Sequence, residues 1–269
     1  MTTGFYRQFE ESHRGSEDTI TEKLSVYAPA LELLEELLPG SAAVDLGCGR
    51  GEWLKLVGQY GLKARGIDTD RDMLAACKQK GLDVVNADAI DFLKSTEDNS
   101  LGLVSAFHLV EHIPFDALND LLQQAHRALK PGGLLILETP NPENPLIGSC
   151  YFYMDPTHIK PLPPALLKFA TEFSGFETTT VWRLNEADNL RHQAPSLYTV
   201  MRDASPDYAI LAQKPGHEGA ENAFLPLAKE SKGITLEERA TRFDNHHRET
   251  TDRLAKETTH LGHQLTASL

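Results

Sequence analysis

A glycine-rich turn that follows a largely apolar run is the feature that most constrains the fold of this chain. The run covers residues 42–46, and glycines follow at alternating positions, Gly47, Gly49 and Gly51. Glycine adopts backbone conformations closed to other residues and lets the backbone approach a ligand closely. The residues from Gly51 to Tyr60 are predicted to form a helix whose N-terminal amides point at the same place. A strand, a glycine turn and a helix in this order predict the nucleotide-binding corner of an α/β sheet.

The spacing of the turn distinguishes between classes of nucleotide ligand. A dinucleotide fingerprint requires a small residue at position 52, where this chain has Glu52, and a P-loop requires a Gly-Lys-Ser/Thr triplet that the sequence lacks. Asp45, just before the glycines, would repel a pyrophosphate. Asp68, at the end of the next apolar stretch, is placed to accept hydrogen bonds from two ribose hydroxyls. An ordinary structural turn would explain the glycines but not both acids, so the pattern favours a nucleoside ligand with positive charge and no phosphate.

Five segments together resemble the class I S-adenosylmethionine-dependent methyltransferases. They occur in the family's order over roughly residues 40–215 and read V-D-L-G-C-G-R-G, G-I-D, N-A-D-A, S-A-F-H-L-V-E-H-I and L-K-P-G-G-L-L-I-L-E-T-P-N. The resemblance implies S-adenosylmethionine as the cofactor and a doubly wound, seven-stranded, mostly parallel Rossmann-like sheet whose last strand is antiparallel. The implied cofactor-binding residues are Asp45, Gly47 and Gly49 under the methionine part, Asp68 on the ribose, Asp88 on the adenine amino group with Ala89 beside it, and His108. Arg14 is a further candidate, for the cofactor carboxylate or for a phosphate on the acceptor.

The pattern of apolar residues divides the chain into four parts. Residues 1–39 are predicted to form an N-terminal helical cap in which Ser16 caps the first helix. Strands and helices alternate over residues 40–214, which predicts the α/β methyltransferase domain. Residues 215–235 are rich in Gly, Pro and charged side chains and are predicted to be a linker. Residues 236–269 are predicted to be a helical tail, either a weak coiled coil or a solvated helix.

Composition excludes several classes of partner. The formal net charge is −13, from 26 basic and 39 acidic residues, which disfavours nucleic acid as a ligand. Three scattered cysteines predict neither a disulfide framework nor a zinc cluster. The sequence shows neither a signal peptide nor an apolar run near the ~18 residues of a membrane-spanning helix. We therefore expect a cytoplasmic protein without a membrane span, with peripheral attachment at the inner membrane left open.

Candidate catalytic residues follow the predicted fourth strand. His108, Glu111 and His112 spell H-x-x-E-H, which on a helix is the inverted zinc-protease motif. Here the segment leaves an apolar strand, Pro114 follows it, and a third ligand at the family spacing is absent, so we predict no metal site. In the resembling methyltransferases an E-H pair at this place lines the cofactor and acceptor side. Glu111 is interpreted as either structural or catalytic, and His112 as a candidate general base.

A second candidate pair lies in the long insertion at residues 141–163. Because this insertion leaves the carboxyl edge of the sheet, where ligands bind, it is predicted to be the substrate lid. Asp155 and His158 stand three residues apart around a Pro-Thr turn, so Asp155 could orient His158 as the general base. Equally, Asp155 could bond local amides while His158 fills space.

The predicted activity is methyl transfer from S-adenosylmethionine to oxygen. The segments F-Y-R-x-F-E-x-x-H-R-G-S and D-P-T-H, with the helical tail, are similar to methyltransferases of bacterial surface-polysaccharide clusters, which modify sugars of O-antigen or capsule chains. That resemblance implies a glycan hydroxyl as the acceptor and a role in lipopolysaccharide biosynthesis. V-E-H-I and P-G-G suggest an alternative, a small-molecule O- or C-methyltransferase of the ubiquinone-pathway type. A further alternative is a non-catalytic cofactor-binding scaffold that assembles through its tail, which is also the predicted surface for an oligomer or a partner.

Overall fold

The described part of the chain contains one seven-stranded sheet. The structure, a computed structural model, describes residues 15–187, 190, 194–216 and 220–267. The strand order is β3-β2-β1-β4-β5-β7-β6, and β7 is antiparallel to both of its neighbours while the other pairs are parallel. The strands are β1 (Ala42–Leu46), β2 (Lys63–Asp68), β3 (Val84–Asn86), β4 (Leu101–Phe107), β5 (Leu129–Pro140), β6 (Thr178–Leu184) and β7 (Asp207–Gln213). The predicted doubly wound sheet with an antiparallel last strand is confirmed.

Helices cover both faces of this sheet. The helices of the described residues are α1 (Glu17–Leu24), α2 (Ala28–Leu37), α3 (Glu52–Gln59), α4 (Arg71–Gln79), α5 (Ala89–Ser95), α6 (Phe115–Ala128), α7 (Pro145–Ser149), α8 (Pro164–Phe173), α9 (Leu197–Arg202), α10 (Ala220–Lys229) and α11 (Leu236–Ala267). Short 3-10 turns occur at Ser25–Tyr27, Val110–His112 and Tyr151–Met154. The predicted N-cap is confirmed, since the Ser16 side chain accepts a hydrogen bond from the Thr19 amide at 3.2 Å.

Two apolar cores lie on the two faces of the sheet. In α6, Leu118, Leu121 and Leu122 recur at helical spacing and pack in one core with strand residues such as Leu137. The opposite core contains an aromatic group in which Tyr27 contacts three rings at centroid distances of 5.6–6.0 Å, those of Trp53, Phe107 and Trp182. Trp53 is therefore a core residue, and the N-terminal helices belong to the same packed unit as the sheet.

The glycine turn between β1 and α3 is held against β2. Gly47, Gly49 and Gly51 have φ angles of 71°, 51° and 80°, in the left-handed region that favours glycine. The amides of Gly47 and Cys48 both donate to the Ile67 carbonyl, at 2.8 and 3.1 Å. The backbone of the turn thus faces the carboxyl ends of the first two strands, as the sequence predicts.

The predicted linker at residues 215–235 differs from what the structure shows. Residues 220–229 form α10, although Pro226 lies inside it. Phe224 is fully buried in the core that contains Trp182, and Trp182 Nε1 donates to the Leu227 carbonyl at 3.4 Å. Apolar packing on the sheet stabilises this short helix in a segment whose Gly and Pro content indicates a linker.

The C-terminal tail is a helix that is docked only at its beginning. Arg239 is 2 % exposed and pairs with the buried Asp203 at 3.0 Å. Most side chains from residue 244 onward are exposed, including Leu254 and Leu261. A helix is confirmed for residues 236–267, and the coiled coil stays a prediction. No helix in the described part of the chain combines the length and apolar character needed to cross a membrane.

Candidate active site

The end of β1 carries a buried acid held by a side-chain network. Asp45 is 4 % exposed, and its Oδ1 accepts a hydrogen bond from Ser105 Oγ at 2.8 Å. Ser105 Oγ in turn accepts from Trp53 Nε1 at 2.8 Å. The parallel pairing of β1 and β4 sets Asp45 opposite Ser105, so the register itself positions this carboxylate beneath the glycine turn.

The end of β2 carries Asp68, whose carboxylate is bound to the glycine turn. Its Oδ2 accepts from the Gly49 amide at 2.9 Å, and its Oδ1 accepts from the Asp70 amide at 2.8 Å. An ionised carboxylate offers about four lone-pair positions, so each oxygen keeps one further position for a ligand hydroxyl. Asp68 thus shapes the turn and remains able to bind a ligand.

Of the remaining predicted cofactor residues, Asp88 and Ala89 lie at the start of α5, and Arg14 is not among the described residues. Asp88 is exposed after β3, and its Oδ1 accepts from the amides of Ile90 and Asp91 at 2.8 and 3.1 Å, which caps α5. Ala89 is the first residue of that helix. Arg14 lies outside the described residues, so its predicted role stays a prediction.

His108 connects two groups of acids at the end of β4. Its φ angle of 52° is in the left-handed region, which is uncommon for a residue with a side chain. Nδ1 lies 3.2 Å from Glu111 Oε1, and Nε2 lies 3.7 Å from Glu138 Oε1, which also accepts from Asn185. Partial burial would lower the pKa of His108, but the hydrogen bond with Glu111, the interaction with Glu138 and the Asp207 charge outweigh it and raise the pKa well above its ordinary value. The surrounding acids therefore favour the charged form of His108.

Glu111 is the most buried carboxylate at this edge. Its side chain is fully buried, its Oε1 faces His108, and its Oε2 accepts from Thr139 Oγ1 at 2.9 Å. Burial raises the pKa of Glu111, yet the hydrogen bond from His108 and the charges of His108 and His112 outweigh it, so the pKa lies below its ordinary value. A negative charge is thereby favoured beside His108, His112 and His158.

His112 is hydrogen-bonded to the lid. Its Nδ1 lies 2.9 Å from Thr157 Oγ1, and its ring meets the ring of His158 edge-on with centroids 4.6 Å apart. Burial lowers the pKa of His112 below its ordinary value, although the carboxylates of Glu111 and Asp155 act in the opposite direction. A neutral imidazole at pH 7 can accept a proton.

Of the two interpretations left open for Asp155 and His158, the geometry matches the local one, in which Asp155 bonds its own turn and does not hydrogen-bond His158. Asp155 Oδ2 lies 3.9 Å from His158 Nε2, beyond hydrogen-bond distance. Asp155 Oδ1 instead accepts from the amide and the hydroxyl of Thr157 at 2.8 and 2.6 Å, because a residue two positions along is the nearest donor in such a turn. His158 Nδ1 donates to the Phe152 carbonyl at 2.6 Å, which fixes the ring inside the lid.

A third potential metal ligand, which the H-x-x-E-H segment lacks, is supplied by the lid. Glu111, His112 and His158 each bring one ligand atom within 4.8 Å of the others, as do His108, Glu138 and Asp207. The distance from Glu111 Oε1 to His158 Nε2 is 4.0 Å, longer than the roughly 3.4 Å between ligands in tetrahedral zinc sites with bonds of about 2.1 Å. The Glu111–His158 pair is therefore spaced more widely than two ligands of a closed zinc site.

Sequence reasoning missed two threonines that organise this edge. Thr139 binds Glu111, and Thr157 joins Asp155 to His112 across 45 positions of sequence. A threonine carries no chemical signal of its own, and only the tertiary contact between the lid and the turn at Val110–His112 identifies Thr157. The backbone fixes that contact, since the Ile159 amide donates to the Glu111 carbonyl at 2.8 Å.

Comparisons with known proteins agree with this architecture. The model of a methyltransferase-domain family matches residues 22–181. A SAM-dependent methyltransferase structure from Archaeoglobus fulgidus has a TM-score of 0.69 and 33% identity, and the match covers 78% of this chain and all of that one.

Two curated relatives match over shorter regions. A demethylmenaquinone methyltransferase of Staphylococcus epidermidis is 34% identical over 122 residues, 42% of this chain and 48% of that protein. A ubiquinone biosynthesis O-methyltransferase of Methylococcus capsulatus is 31% identical over 112 residues, 39% of this chain and 45% of that protein. The chain thus spans about half the length of the curated relatives it matches.

Proposed function

Because this chain belongs to the methyltransferase-domain family of S-adenosylmethionine-dependent proteins, we propose that it methylates a small molecule that carries an acidic hydroxyl group. The observation that carries this proposal is the pairing of a cofactor corner at β1 and β2 with a neutral histidine, His112, at the end of β4. The bound cofactor supplies a methyl group activated on a sulfonium. The chain's own residues must hold it, place the acceptor in line with it and remove the acceptor's proton.

The residues at the carboxyl edge fit S-adenosylmethionine. Asp68 has one free position on each oxygen for the two ribose hydroxyls, and Asp88 with Ala89 would hold the adenine. Gly47 and Gly49 would lie under the methionine part, where the left-handed backbone of the turn requires glycine. The buried carboxylate of Asp45 favours a cationic group over a phosphate at this place.

His112 is the general base in this proposal. Its Nδ1 is engaged by Thr157 Oγ1 of the lid, so Nε2 is the nitrogen assigned to the acceptor proton. His158 also has its Nδ1 engaged, but its Nε2 is flanked by the carboxylate oxygens of Glu111 and Asp155 at 4.0 and 3.9 Å. We therefore assign proton removal to His112 and place His158 in the wall of the acceptor site.

The basicity of His112 supports an acidic hydroxyl as the acceptor. A phenol has a pKa of about 10, whereas the pKa of an alcohol is far higher and close to that of water. Burial lowers the pKa of His112 and so widens the difference between its pKa and that of an alcohol. His112 is therefore better suited to remove a proton from a phenol or an enol. The names of the two curated relatives, a demethylmenaquinone methyltransferase and a ubiquinone biosynthesis O-methyltransferase, also support a small-molecule acceptor of the quinone class.

A sugar hydroxyl is the second candidate acceptor. The resemblance of the D-P-T-H segment to surface-polysaccharide methyltransferases supports it, and so do Tyr151 and Tyr153, which are 49% and 62% exposed on the lid and could stack on a sugar ring. The lowered basicity of His112 argues against it. The same assay can compare both acceptors.

Incubation of the purified chain with S-adenosylmethionine and a panel of acceptors tests the proposal. We expect S-adenosylhomocysteine to form with catechols or hydroquinones and not with neutral hexoses, at a rate that a chelator leaves unchanged. Turnover only on sugars would identify a sugar hydroxyl as the acceptor instead. Inhibition by chelator would indicate that Glu111, His112 and His158 bind a metal ion. Cofactor binding without turnover on any acceptor would indicate a scaffold.

We further propose that the exposed part of α11 joins two copies of the chain. Helices without tertiary packing are marginal in water, and Leu254, Leu261 and Leu265 are exposed at spacings of seven and four residues along this one. Such a pattern is typical of a helix that packs against another copy of itself.

A truncation after Asn245 should convert an oligomer into a monomer, as light scattering on both forms would show. This position keeps Arg239, because a cut before Leu236 would remove one of the two arginines that pair with the buried Asp203. Methyl transfer to a short acceptor should persist in the truncated chain, since none of the proposed site residues lies beyond it. A full-length chain that is monomeric at all accessible concentrations would reject the association.

A further inference from the structure

The lid and the turn at Val110–His112 are joined by a chain of hydrogen bonds that ends on the proposed base. Asp155 Oδ1, Thr157 Oγ1 and His112 Nδ1 follow one another at 2.6 and 2.9 Å. The backbone bond from Ile159 to Glu111, at 2.8 Å, holds the two segments in register. All three groups are at least half-buried, so water competes little for these bonds.

The direction of each bond in this chain follows from the number of protons available. An ionised carboxylate only accepts, and a threonine hydroxyl has one proton to donate. The short contact with Asp155 takes that proton, and Thr157 Oγ1 can then serve His112 only as an acceptor. His112 must therefore carry its proton on Nδ1, and the lone pair of the neutral ring is on Nε2.

We propose that Thr157 is a positioning residue that fixes the tautomer of His112, so that Nε2 is the nitrogen that accepts the proton of the acceptor hydroxyl. The inference rests on the proposed function and extends it to a residue that makes no contact with the reacting atoms. After proton transfer His112 carries protons on both nitrogens, and its Nδ1–H still donates to Thr157. The same hydrogen bonds thus fit the ring before and after the step, and no proton needs to travel along them.

This arrangement resembles the base–orienter pair of a catalytic triad, with a hydroxyl between the carboxylate and the imidazole. It differs from a direct Asp–His pair because the Thr157 hydroxyl lies between the Asp155 carboxylate and His112. The other groups that face His112 are Glu111 and His158, whose charges act on its pKa in opposite directions. Neither of them is hydrogen-bonded to Nδ1, so neither sets the tautomer.

Two substitutions of Thr157 separate the hydroxyl from the shape of the side chain. Thr157→Val keeps the shape and removes the hydroxyl, and Thr157→Ser keeps the hydroxyl. We expect Thr157→Val to lower kcat by about 10- to 100-fold, the order expected for one lost hydrogen bond that selects the reactive tautomer, with little change in KM for the acceptor. Thr157→Ser should stay within a few-fold of the unmodified chain. If Thr157→Val does not fold, Thr157→Ala serves as the variant without the hydroxyl.

A double-mutant cycle and a spectroscopic measurement make the test specific. If Thr157 acts through His112, Thr157→Val should have no further effect on kcat in a His112→Gln background. Long-range ¹H–¹⁵N spectra of the full chain with labelled histidine should show the His112 proton on Nδ1, and Thr157→Val should move the population toward Nε2–H. Additive losses of kcat, or an unchanged tautomer in Thr157→Val, would overturn the inference. The spectra report on the tautomer even if no acceptor is turned over, so failure of the proposed function can be told apart from failure of this inference.

Discussion

Replacement of His112 by glutamine is expected to lower kcat by about 10²–10⁴-fold, the range attributed to general-base catalysis. Glutamine approximates the size of histidine, and its amide can still donate to Thr157, so the contact between the lid and the turn should persist. It cannot accept a proton at neutral pH. Affinity for S-adenosylhomocysteine, measured by calorimetry, should be unchanged because His112 is not among the proposed cofactor residues.

His158→Gln is the matched control for that experiment. In the structure His158 Nδ1 binds the Phe152 carbonyl, and its ring lies 4.4 Å from the Phe152 ring, so its loss should loosen the lid. We expect a higher KM for the acceptor and a smaller loss of kcat than in His112→Gln. The reverse ranking would assign the base to His158, and near-normal turnover in both variants would leave catalysis to positioning or to a carboxylate.

The pH dependence of kcat should show that the base is active only in its neutral form. Only the neutral ring of His112 accepts a proton, so kcat should fall as the pH drops through the pKa of His112. Because burial lowers this pKa, the fall should occur below the ordinary histidine value of about 6.5. A profile whose acidic limb lies above that value would contradict the assignment.

The sequence predicts the sheet and the glycine turn well because both depend on local patterns. Buried parallel strands give apolar runs, and left-handed turns require glycine, so β1 and Gly47 are recognisable without tertiary information. Asp68 follows its strand directly, and parallel pairing brings its carboxylate to the Gly49 amide. Such contacts between neighbouring strand ends follow from topology alone.

The acceptor side could not be predicted in the same way because its contacts are distant in sequence. Asp155 and His158 stand three positions apart, and this spacing suggests that they interact. Asp155 instead accepts hydrogen bonds from the amide and the hydroxyl of Thr157, because these donors are nearer in the turn. The hydrogen-bond partner of His112, Thr157, comes from the lid. Where composition predicts a linker, α10 forms because the burial of Phe224 in the core stabilises that helix. Tertiary packing decides both outcomes.

Asp68→Ala is expected to weaken the binding of S-adenosylhomocysteine at least about tenfold. Each of the two hydrogen bonds that Asp68 would make to the ribose is charge-assisted and contributes about 1.5–3 kcal/mol, of which water that replaces the carboxylate recovers a part. The substitution also removes the acceptors of the Gly49 and Asp70 amides, so the glycine turn loses one of its hydrogen bonds to β2. Both effects act on the same ligand, and titration calorimetry measures their sum.

The control for Asp68→Ala is Asp83→Ala, which removes an exposed carboxylate that pairs with Arg65 at 2.8 Å, away from the turn. Exposed pairs of this kind contribute little to stability, so Asp83→Ala should bind S-adenosylhomocysteine normally. Circular dichroism should show intact folding in both variants, since the seven-stranded core does not depend on either side chain. Because a 2′,3′-diol is common to many nucleosides, the chain should also be titrated with NAD. Unchanged S-adenosylhomocysteine binding by Asp68→Ala would remove the ribose role from Asp68, and tight NAD binding by the unmodified chain would contradict the assignment of the cofactor. Weakened binding in Asp68→Ala alone would leave the acid at the end of β2 as the residue that binds the ribose.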